Sequence, residues 1–384
     1  MKIAIVTAFP EDPHTPRGGV EAVSVTLVDG LMGLGGLDLH VVTTSATRRS
    51  PEVERWREVT VHRLPRRSRS ILAGAIGADR RQVSAYLGTL APDLIHAHDT
   101  YGLMVKGLPV PRVFTIHGFI HEDTRVAAER WARARAAIWR RVELAGWADQ
   151  PHIISISPYV RERLRGIATG VIHDIDNPIG RQFFSLDRRD TGGVIFSAGA
   201  VCQRKNTLGL IDAFARVIGS GLDARLRLAG HVAEPAYAER VRARIRASGL
   251  EDRIVMLGAL DTSAVARELS QASVFALLSL EENSPLGIEE AMAAGVPVVT
   301  SDRCGMPYLV REGDSGFLVD PLDPDDAAER FARLLADPAL RRAQGEAAKA
   351  IALARFHPDV VARRTRDVYL RALSRPAAAV STSG

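Results

Sequence analysis

Short apolar runs rich in β-branched residues alternate with helical patterns along almost the whole chain, and this alternation limits the possible folds more than any other feature. Parallel strands need long connections, usually helices, and these helices cover both faces of the sheet. Two series of predicted strands occur. The first comprises residues 3–7, 39–43, 59–63, 94–97, 112–116 and 153–156, and the second comprises 193–197, 224–229, 253–257, 274–278 and 297–300. We therefore predict an α/β protein with two parallel sheets.

A polar, proline-containing stretch separates the two series. It extends over residues 177–193, and after it the pattern of strands and helices begins again. We predict a first domain over residues 1–180, a second over 181–357 and a closing helix over 358–374. The last residues, 375–384, are small and polar, and we expect them to be disordered.

The composition is that of an ordinary globular protein. No apolar run approaches the roughly 18 residues of a transmembrane helix, and the first residues show no apolar region of a signal peptide. We therefore expect a cytoplasmic protein. Two cysteines are too few for a disulfide framework or a cysteine metal cluster.

Residues 282–290, between two predicted strands, have the features of an anion-binding site. Ser284 and Pro285 are suited to be the N-cap and the first residue of a helix. The amides of Leu286 and Gly287 would then have no acceptor within the helix, and such amides bind phosphate. Gly287 has no side chain that would keep a phosphate away.

Two glutamates, Glu282 and Glu290, flank this helix start with seven residues between them. A carboxylate does not favour a bare phosphate, so we expect both to accept hydrogen bonds from hydroxyl groups on either side of it. A ligand with hydroxyl groups on both sides of a phosphate is a sugar nucleotide. An acidic pair at a helix start can also serve only to complement the helix dipole on a solvated surface.

Gly18 and Gly19 lie in the loop after the first predicted strand and precede an amphipathic helix. No G-x-G-x-x-G pattern occurs there, which argues against a nicotinamide or flavin site. A glycine pair in this place is otherwise an ordinary turn.

Histidines follow two predicted strands of the first series, at positions 96, 98 and 117, with His121 nearby. A metal site needs converging ligands and an open coordination position, whereas His96 and His98 are strand neighbours on one face with no cysteine nearby. We predict no metal site. The alternative is that these histidines bind no ligand and are ordinary polar residues at the starts of loops.

Residues 290–299, with the sequence EAMAAGVPVV, together with Glu282 resemble the E-x7-E signature of the family-4 glycosyltransferases, which have the GT-B fold. Similar stretches extend from about residue 1 to about residue 374, and residues 311–320 resemble a hairpin of the family. The resemblance implies two Rossmann-like, doubly wound domains that face a cleft. It also implies that the closing helix, 358–374, packs on the first domain.

The second domain shows one departure from the family pattern. Family members have G-R-L-x-x-x-K-G after the first strand of this domain, where the arginine and the lysine grip the donor diphosphate. Lys205 occupies the lysine position, but Ala200 stands where the arginine is expected. Arg204 is the obvious substitute, although a basic pair on a loop is otherwise solvated surface.

The resemblance also implies roles for the other site residues. Glu282 positions the hydroxyl groups of the donor sugar, Glu290 holds the ribose and His117 faces the reacting sugar. Lys205, Arg204, Glu282 and His117 are thus the candidate catalytic residues. The remaining donor-binding residues are Gly18, Gly19, Asn283, Ser284, Pro285, Leu286, Gly287 and Glu290.

By this resemblance the chain transfers a hexose from a nucleoside-diphosphate sugar to a hydroxyl acceptor, a glycan or a lipid-linked saccharide. Retention of the anomeric configuration is implied, with no cofactor and no required metal. The alternatives are a GT-B sugar-nucleotide epimerase and a non-catalytic sugar-nucleotide-binding subunit. The presence of Lys205, Glu282 and Glu290 argues against the non-catalytic subunit, and Ala200 argues slightly for it.

Two arginine-rich stretches belong to the first domain and raise the question of a membrane surface. Residues 48–81 contain ten arginines and four acidic residues. A predicted helix over 125–147 carries six more arginines, among them those at 130, 133, 135, 140 and 141, beside three tryptophans. Such a surface suits anionic lipid headgroups, and it would place the protein peripherally at the inner membrane face. A solvated basic face is the alternative, and no motif accompanies the charge that would indicate nucleic acid.

Overall fold

The computed structural model describes residues 1–126 and 131–374. Within it the chain forms two compact units. The first comprises residues 1–176 and the segment that begins at Asp359, and the second comprises Asn177–Pro358. The boundaries predicted from the sequence were 180/181 and 357/358. The tail predicted to be disordered, 375–384, lies outside the described residues.

The first unit contains an eight-stranded sheet. Its strands are β1 Lys2–Val6, β2 Asp38–Ser45, β3 Glu52–Trp56, β4 Val59–Pro65, β5 Leu94–His98, β6 Arg112–Ile116, β7 His152–Ser155 and β8 Val171–Asp174. The spatial order is β3-β4-β2-β1-β5-β6-β7-β8. Neighbouring strands are parallel except β3, which is antiparallel to β4.

Helices connect these strands. They are α1 Gly19–Leu34, α2 Ile71–Ile76, α3 Ala78–Leu90, α4 Thr100–Met104, α5 Ile120–Val126, α6 Ala132–Ala148 and α7 Pro158–Arg163. Buried side chains from them pack with both faces of the sheet in two clusters, one around Val28 and Leu31 and one around Phe114 and Trp147. This is the arrangement expected for a parallel sheet whose strands are apolar throughout.

The second unit contains a six-stranded sheet with the spatial order β11-β10-β9-β12-β13-β14, and all of its strand pairs are parallel. The strands are β9 Val194–Ala198, β10 Arg225–Ala229, β11 Ile254–Gly258, β12 Val274–Leu277, β13 Val298–Ser301 and β14 Gly316–Val319. The helices are α8 Arg181–Phe184, α9 Thr207–Gly219, α10 Pro235–Ala247, α11 Thr262–Gln271, α12 Leu286–Ala293, α13 Pro324–Ala336 and α14 Pro338–Arg355.

The last helix, α15 Pro358–Ser374, returns to the first unit. Tyr369 is fully buried on this helix and lies in the same apolar cluster as Ile3 and Ile5 of β1. Its hydroxyl group is 2.7 Å from Nδ1 of His96 on β5. The prediction that the closing helix packs on the first domain is therefore confirmed.

In each sheet the chain adds strands first on one side of its first strand and then on the other side, so the strand order reverses beside that strand. The first strand lies between β2 and β5 in one sheet, and β9 lies between β10 and β12 in the other. Loops at the carboxyl ends of the two strands at such a reversal diverge and leave a crevice, where ligands of open α/β sheets bind. In the second sheet the candidate site residues follow β9 and β12. In the first sheet Gly18 and Gly19 follow β1, and His117 follows β6, the strand next to β5.

The structure corrects several predictions. β3 and β8, at the edges of the first sheet, were not predicted, and Gly316–Val319 pairs in parallel with β13 and does not form a hairpin. The predicted linker is packed structure: Ile179 and Phe183 are buried in the core of the second unit. No helix of the described residues is long and apolar enough to span a membrane.

Candidate active site

Two loops of the second unit meet at the carboxyl end of its sheet. β9 and β12 are neighbours, with Phe196 opposite Phe275, so the loops that follow them begin side by side. The amide of Leu280 donates to the carbonyl oxygen of Arg204 at 2.8 Å and joins the two loops. Arg204 and Lys205 therefore lie beside Glu282.

Arg204 and Lys205 form ion pairs with the same oxygen of Glu282. Nζ of Lys205 is 2.6 Å from Oε1 of Glu282, and Nη1 of Arg204 is 2.8 Å from it. The Arg204 guanidinium also donates to the carbonyl oxygen of Glu281 at 2.7 Å. The structure thus brings three of the four predicted catalytic residues together, with two positive charges against one negative charge.

The carboxyl group of Glu282 is buried, with a side chain only 10% exposed. Burial by itself would raise the pKa of this carboxyl group, but Lys205 and Arg204 outweigh burial and hold the pKa below its usual value. Glu282 is therefore ionised at neutral pH. Removal of either cation would leave a buried carboxylate with less compensation.

Gly199 determines the path of the Lys205 side chain. A Cβ atom at Gly199 would lie 3.2 Å from Cε of Lys205 and 3.5 Å from its Nζ, so the lysine side chain lies directly against this glycine. Gly230 in turn packs on Gly199, because a Cβ atom at Gly230 would lie 1.8 Å from the Gly199 carbonyl oxygen. The sequence pattern did not indicate a role for either glycine, although Gly230 directly follows a predicted strand and Gly199 lies two residues after one.

The start of α12 differs from the prediction by one residue. Pro285 is the N-cap and the helix begins at Leu286, whereas we predicted Ser284 as the N-cap. The Ser284 hydroxyl group instead donates to Oε1 of Glu289, a side chain with no exposed surface. A buried glutamate thus holds the loop before the helix, and the sequence pattern did not indicate it.

The first-turn amides of α12 keep the predicted arrangement. Ile288 makes the first bond of this turn, to the Pro285 carbonyl oxygen at 3.0 Å, so the amides of Leu286 and Gly287 precede it. The structure gives a further reason for a glycine at position 287, besides the room that it leaves for a phosphate. A Cβ atom there would lie 3.0 Å from the Phe275 ring and 3.3 Å from the Ala198 carbonyl oxygen, so close packing on β9 and β12 already favours glycine.

Asn283 is fixed through its main chain. A Cβ atom at Gly305 would lie 1.8 Å from the Asn283 carbonyl oxygen, and the Gly305 amide donates to the Glu282 carbonyl oxygen at 2.8 Å. Only glycine permits this approach of the two chain segments. The site loop is therefore held by main-chain contacts at Glu282 and Asn283.

Glu290 lies on α12, and burial raises the pKa of its carboxyl group to about 8. The group is therefore largely protonated at neutral pH, unlike Glu282. A protonated carboxyl group both donates and accepts hydrogen bonds, which suits it to a hydroxyl-bearing ligand. Its assignment to the ribose stays a prediction.

In the first unit, two buried carboxylates hold the loop that begins at His117. Oδ1 of Asp99, directly after β5, accepts the His117 amide at 2.8 Å. Glu143 of α6 accepts the amides of Ile120 and His121, both at 2.9 Å, and is 2.7 Å from Nδ1 of His121. Asp99 has φ +45°, a conformation that side chains rarely adopt, so its placement is costly and specific.

The histidines after β5 and β6 are bonded to one another. Nδ1 of His98 is 2.9 Å from Nε2 of His117. His96 is 2.7 Å from both the Tyr369 hydroxyl group and the Thr115 hydroxyl group, one at each ring nitrogen. No group of three or more potential metal ligands occurs within residues 1–126 and 131–374.

Gly18 is the N-cap of α1. Its backbone is extended, a conformation that any residue can adopt. A Cβ atom at Gly18 would meet nothing within 4 Å, so the fold of this unit does not itself require glycine here. Oε2 of Glu21 accepts the Arg17 amide at 2.7 Å and fixes the loop before Gly18 and Gly19.

The sequence matches two family models that together cover most of the chain. Residues 17–180 match the model described as Glycosyltransferase Family 4, and residues 179–351 match the model described as Glycosyl transferases group 1. With the two parallel sheets and the cation pair at Glu282, these matches define the class. The chain belongs to the family-4 glycosyltransferases.

Solved structures confirm the predicted GT-B fold. A sucrose-phosphate synthase from Thermosynechococcus elongatus is similar with a TM-score of 0.80 and 23% identity, over 97% of this chain and 99% of that one. Anabaena HepE in complex with UDP-glucose is similar with a TM-score of 0.73 and 18% identity, over 97% and 100%.

Three curated relatives match over a smaller part of the chain. An MMP α-(1→4)-mannosyltransferase from Mycolicibacterium hassiacum is 27% identical over 74% of this chain and 72% of its own length. Two others, 33% and 30% identical, match about half of this chain, and the chain spans only 19% and 42% of their lengths.

Substitution of Lys205 tests the electrostatics of the cluster. In Lys205→Met the pKa of Glu282 should rise by about 1–2, because a lost charge-assisted contact costs about 1.5–3 kcal/mol and 1.36 kcal/mol corresponds to one pKa unit. ¹³C NMR of the Glu282 carboxyl group across a pH titration measures this pKa. An unchanged pKa would mean that Lys205 does not hold Glu282 in its ionised form.

The lowered pKa of Glu282 also predicts how the free energy of unfolding changes on acidification. The lowered pKa of Glu282 contributes stability that is present above its ordinary value of 4.5 and lost as the pH falls through the folded-state value. Lys205→Met should therefore lose less stability than the wild type on acidification through this range. Lys349→Met, which changes a lysine outside the cluster, should behave like the wild type.

Proposed function

We propose that the chain transfers a hexose from a nucleoside-diphosphate sugar to a hydroxyl group of a saccharide acceptor, with retention of the anomeric configuration and without a metal ion. The observation that carries this proposal is the convergence of Lys205 and Arg204 on Glu282, beside the first turn of α12 and at the strand reversal of its sheet. The loss of a nucleoside diphosphate leaves negative charge on the leaving group. Fixed cations and helix amides stabilise such charge.

In this proposal the two cations bind the diphosphate while Glu282 keeps them in place. Ion pairing with one buried carboxylate holds both cationic groups close to each other before the donor arrives, which lowers the cost of organising them. Glu282 also accepts hydrogen bonds from hydroxyl groups of the donor sugar. The proximity of Arg204 to Lys205 supports its proposed replacement of the arginine missing at Ala200.

The remaining predicted residues complete the donor site. The amides of Leu286 and Gly287 face the diphosphate, Asn283, Ser284 and Pro285 line the loop before them, and Glu290 binds the ribose. Gly18 and Gly19 leave room for the diphosphate; the open space around a Cβ atom at Gly18 supports this role. His117, held by Asp99 through its amide, faces the reacting sugar.

Two similar proteins support a nucleotide-sugar donor and a saccharide acceptor. HepE was solved with UDP-glucose, and the Mycolicibacterium relative is a mannosyltransferase by its name. A hexose is common to both descriptions, as the glucose of the bound UDP-glucose in one and as the transferred mannose in the other. The base and the sugar of the donor of this chain are to be identified by assay.

Turnover of the Lys205 variant tests the proposed role most simply. Lys205→Ala should lower kcat by two or more orders of magnitude, because loss of one preorganised group that stabilises developing charge costs about 3–4 kcal/mol. Arg204→Ala should also lower kcat, whereas the matched control Lys349→Ala should not. Turnover is measured with the donor that a panel of UDP-, GDP- and ADP-sugars identifies. Near-normal turnover in Lys205→Ala would exclude the lysine from the mechanism.

We also propose that the acceptor is presented at an anionic membrane surface. The structure changes which residues support this idea. Trp139 and Trp147 are buried in the core of the first unit, and Arg63 is only 1% exposed, so none of these three can contact lipid. Of the predicted helix over 125–147, residues 132–147 lie in α6, and residues 127–130 lie outside the described residues.

On α6 the arginines at 133, 135, 140 and 141 are exposed and follow the exposed Trp131, and a part of the other arginine-rich stretch has the required character as well. Arg66, Arg67 and Arg69 are exposed and directly precede α2, on which Ile71 is 59% exposed and Ile76 is 52% exposed. We call residues 66–76 the basic apolar segment. Exposed isoleucines beside arginines suit the boundary between anionic headgroups and acyl chains.

Vesicle binding tests the basic apolar segment. The protein should cosediment with vesicles that contain an anionic phospholipid and less with neutral vesicles, and salt should weaken the binding, because each arginine near the surface contributes about 1 kcal/mol. Replacing Arg66, Arg67 and Arg69 by Gln should reduce binding. The control replaces three exposed arginines of α10, at positions 240, 242 and 246, by Gln. Equal effects of the two triple variants, or no binding by the wild type, would contradict the proposal.

A further inference from the structure

His98 and His117 form a bonded pair of imidazole rings at the carboxyl end of the first sheet. His98 is the last residue of β5, and His117 follows β6, the neighbouring strand. The rings are stacked with an angle of 26° between their planes, and Nδ1 of His98 lies 2.9 Å from Nε2 of His117. His98 is 1% exposed, whereas His117 is only partly buried.

The second nitrogen of His98 has a different environment. Its Nε2 is buried and has no hydrogen-bond partner among residues 1–126 and 131–374. A neutral imidazole carries one proton, which can lie on either nitrogen. If the proton of His98 were on Nε2, a buried N–H group would lack an acceptor, and orphaned buried donors are rarer than under-satisfied acceptors. The proton therefore belongs on Nδ1, where His117 accepts it.

We infer that His98 donates through Nδ1 to Nε2 of His117 and thereby holds His117 as the tautomer with its own proton on Nδ1. His98 is then a positioning residue that acts through His117. This inference rests on the proposed function only for its consequence in catalysis, in which His117 faces the donor sugar.

The surrounding groups support a neutral His98. The His96 ring lies against it at a tilt of 41°, with 4.5 Å between ring centroids. Both nitrogens of His96 are bonded, to Tyr369 of α15 and to Thr115 of β6. Burial, followed by the nearby His96 and His117, lowers the pKa of His98 well below its usual value. The acidic group of this cluster is Asp99, and its carboxyl oxygen already accepts the His117 amide.

The tautomer of His117 determines whether its ring can act as a base or as a hydrogen-bond donor. Nε2 of His117 accepts a hydrogen bond from His98, and Nδ1 carries the proton of His117. The ring therefore has no nitrogen available to accept a proton from a substrate. It offers an N–H group at Nδ1 instead. In the proposed transferase, His117 then acts as a hydrogen-bond donor to a sugar oxygen and not as the base that deprotonates the acceptor.

The tautomer can be measured in the wild-type protein without any substrate. Long-range ¹H–¹⁵N NMR separates the protonated from the unprotonated ring nitrogen of each histidine. We expect His117 to show a protonated Nδ1 and an unprotonated Nε2 at neutral pH. A protonated Nε2 on His117 would overturn the inference, whatever the protein catalyses.

Two substitutions at position 98 test the dependence on His98. His98→Leu removes the donor, so His117 should shift towards the tautomer with Nε2 protonated, and kcat should fall by about 10- to 100-fold, the range for losing a partner that orients a functional histidine. His98→Asn can place an amide N–H near the position of Nδ1. It should restore the wild-type tautomer and most of the turnover. An unchanged His117 tautomer in His98→Leu would contradict the inference.

The sheet offers a matched control. His152 of β7 and His173 of β8 form a second stacked pair, with 3.1 Å between Nδ1 of His152 and Nε2 of His173. His152→Leu should disturb the fold to a similar extent while leaving the His117 tautomer and the turnover unchanged. If the wild type shows the expected tautomer but no donor is ever transferred, the proposed function fails and the tautomer assignment stands.

Discussion

One buried carboxylate shared by two cations is the interaction on which the site of the second unit depends. Glu282 is ionised because Lys205 and Arg204 outweigh the cost of its burial, and those cations in turn have a fixed position because Glu282 is there. The arrangement needs three chain segments to approach closely. Gly199 makes room for the lysine side chain, and Gly305 permits main-chain contact with Asn283.

The first unit uses carboxylates differently, as acceptors for main-chain amides. Asp99 and Glu143 hold the loop from His117 to His121 from two sides, so the position of this loop does not depend on a helix terminus. Buried carboxylates that accept several amide hydrogen bonds are strong anchors, because the bonds are charge-assisted. His117 thus gains a fixed backbone from Asp99 and, by our inference, a fixed tautomer from His98.

Much of the fold followed from the sequence because buried parallel strands are apolar throughout. The strands that were missed lack this property: Glu52–Trp56 has mostly exposed side chains, and Val171–Asp174 is a short edge strand without a fully buried residue. Family resemblance supplied the return of the closing helix. No local pattern could show that Tyr369 would bond to His96, 273 positions away.

The sequence suggested the residues of the candidate site but not the contacts between them. The helix start after Pro285 and the acidic pair are local patterns, whereas the pairing of Glu282 with Lys205 depends on β9 and β12 becoming neighbours. The burial of Glu289 was not predicted either, because a glutamate in the first turn of a helix is usually solvated. Ser284, expected to cap the helix, bonds to this glutamate.

We propose that Lys205, Arg204 and Glu282 form a metal-independent site for a nucleoside-diphosphate sugar. Calorimetric titration of UDP-, GDP- and ADP-sugars in the presence of EDTA measures this binding. At least one donor should bind the wild type and Lys349→Ala equally, and bind Lys205→Ala at least about tenfold more weakly, the loss expected for a contact worth about 1.4 kcal/mol or more. Binding that disappears in EDTA and returns with Mg²⁺ or Mn²⁺, or equal affinity in Lys205→Ala, would contradict this proposal.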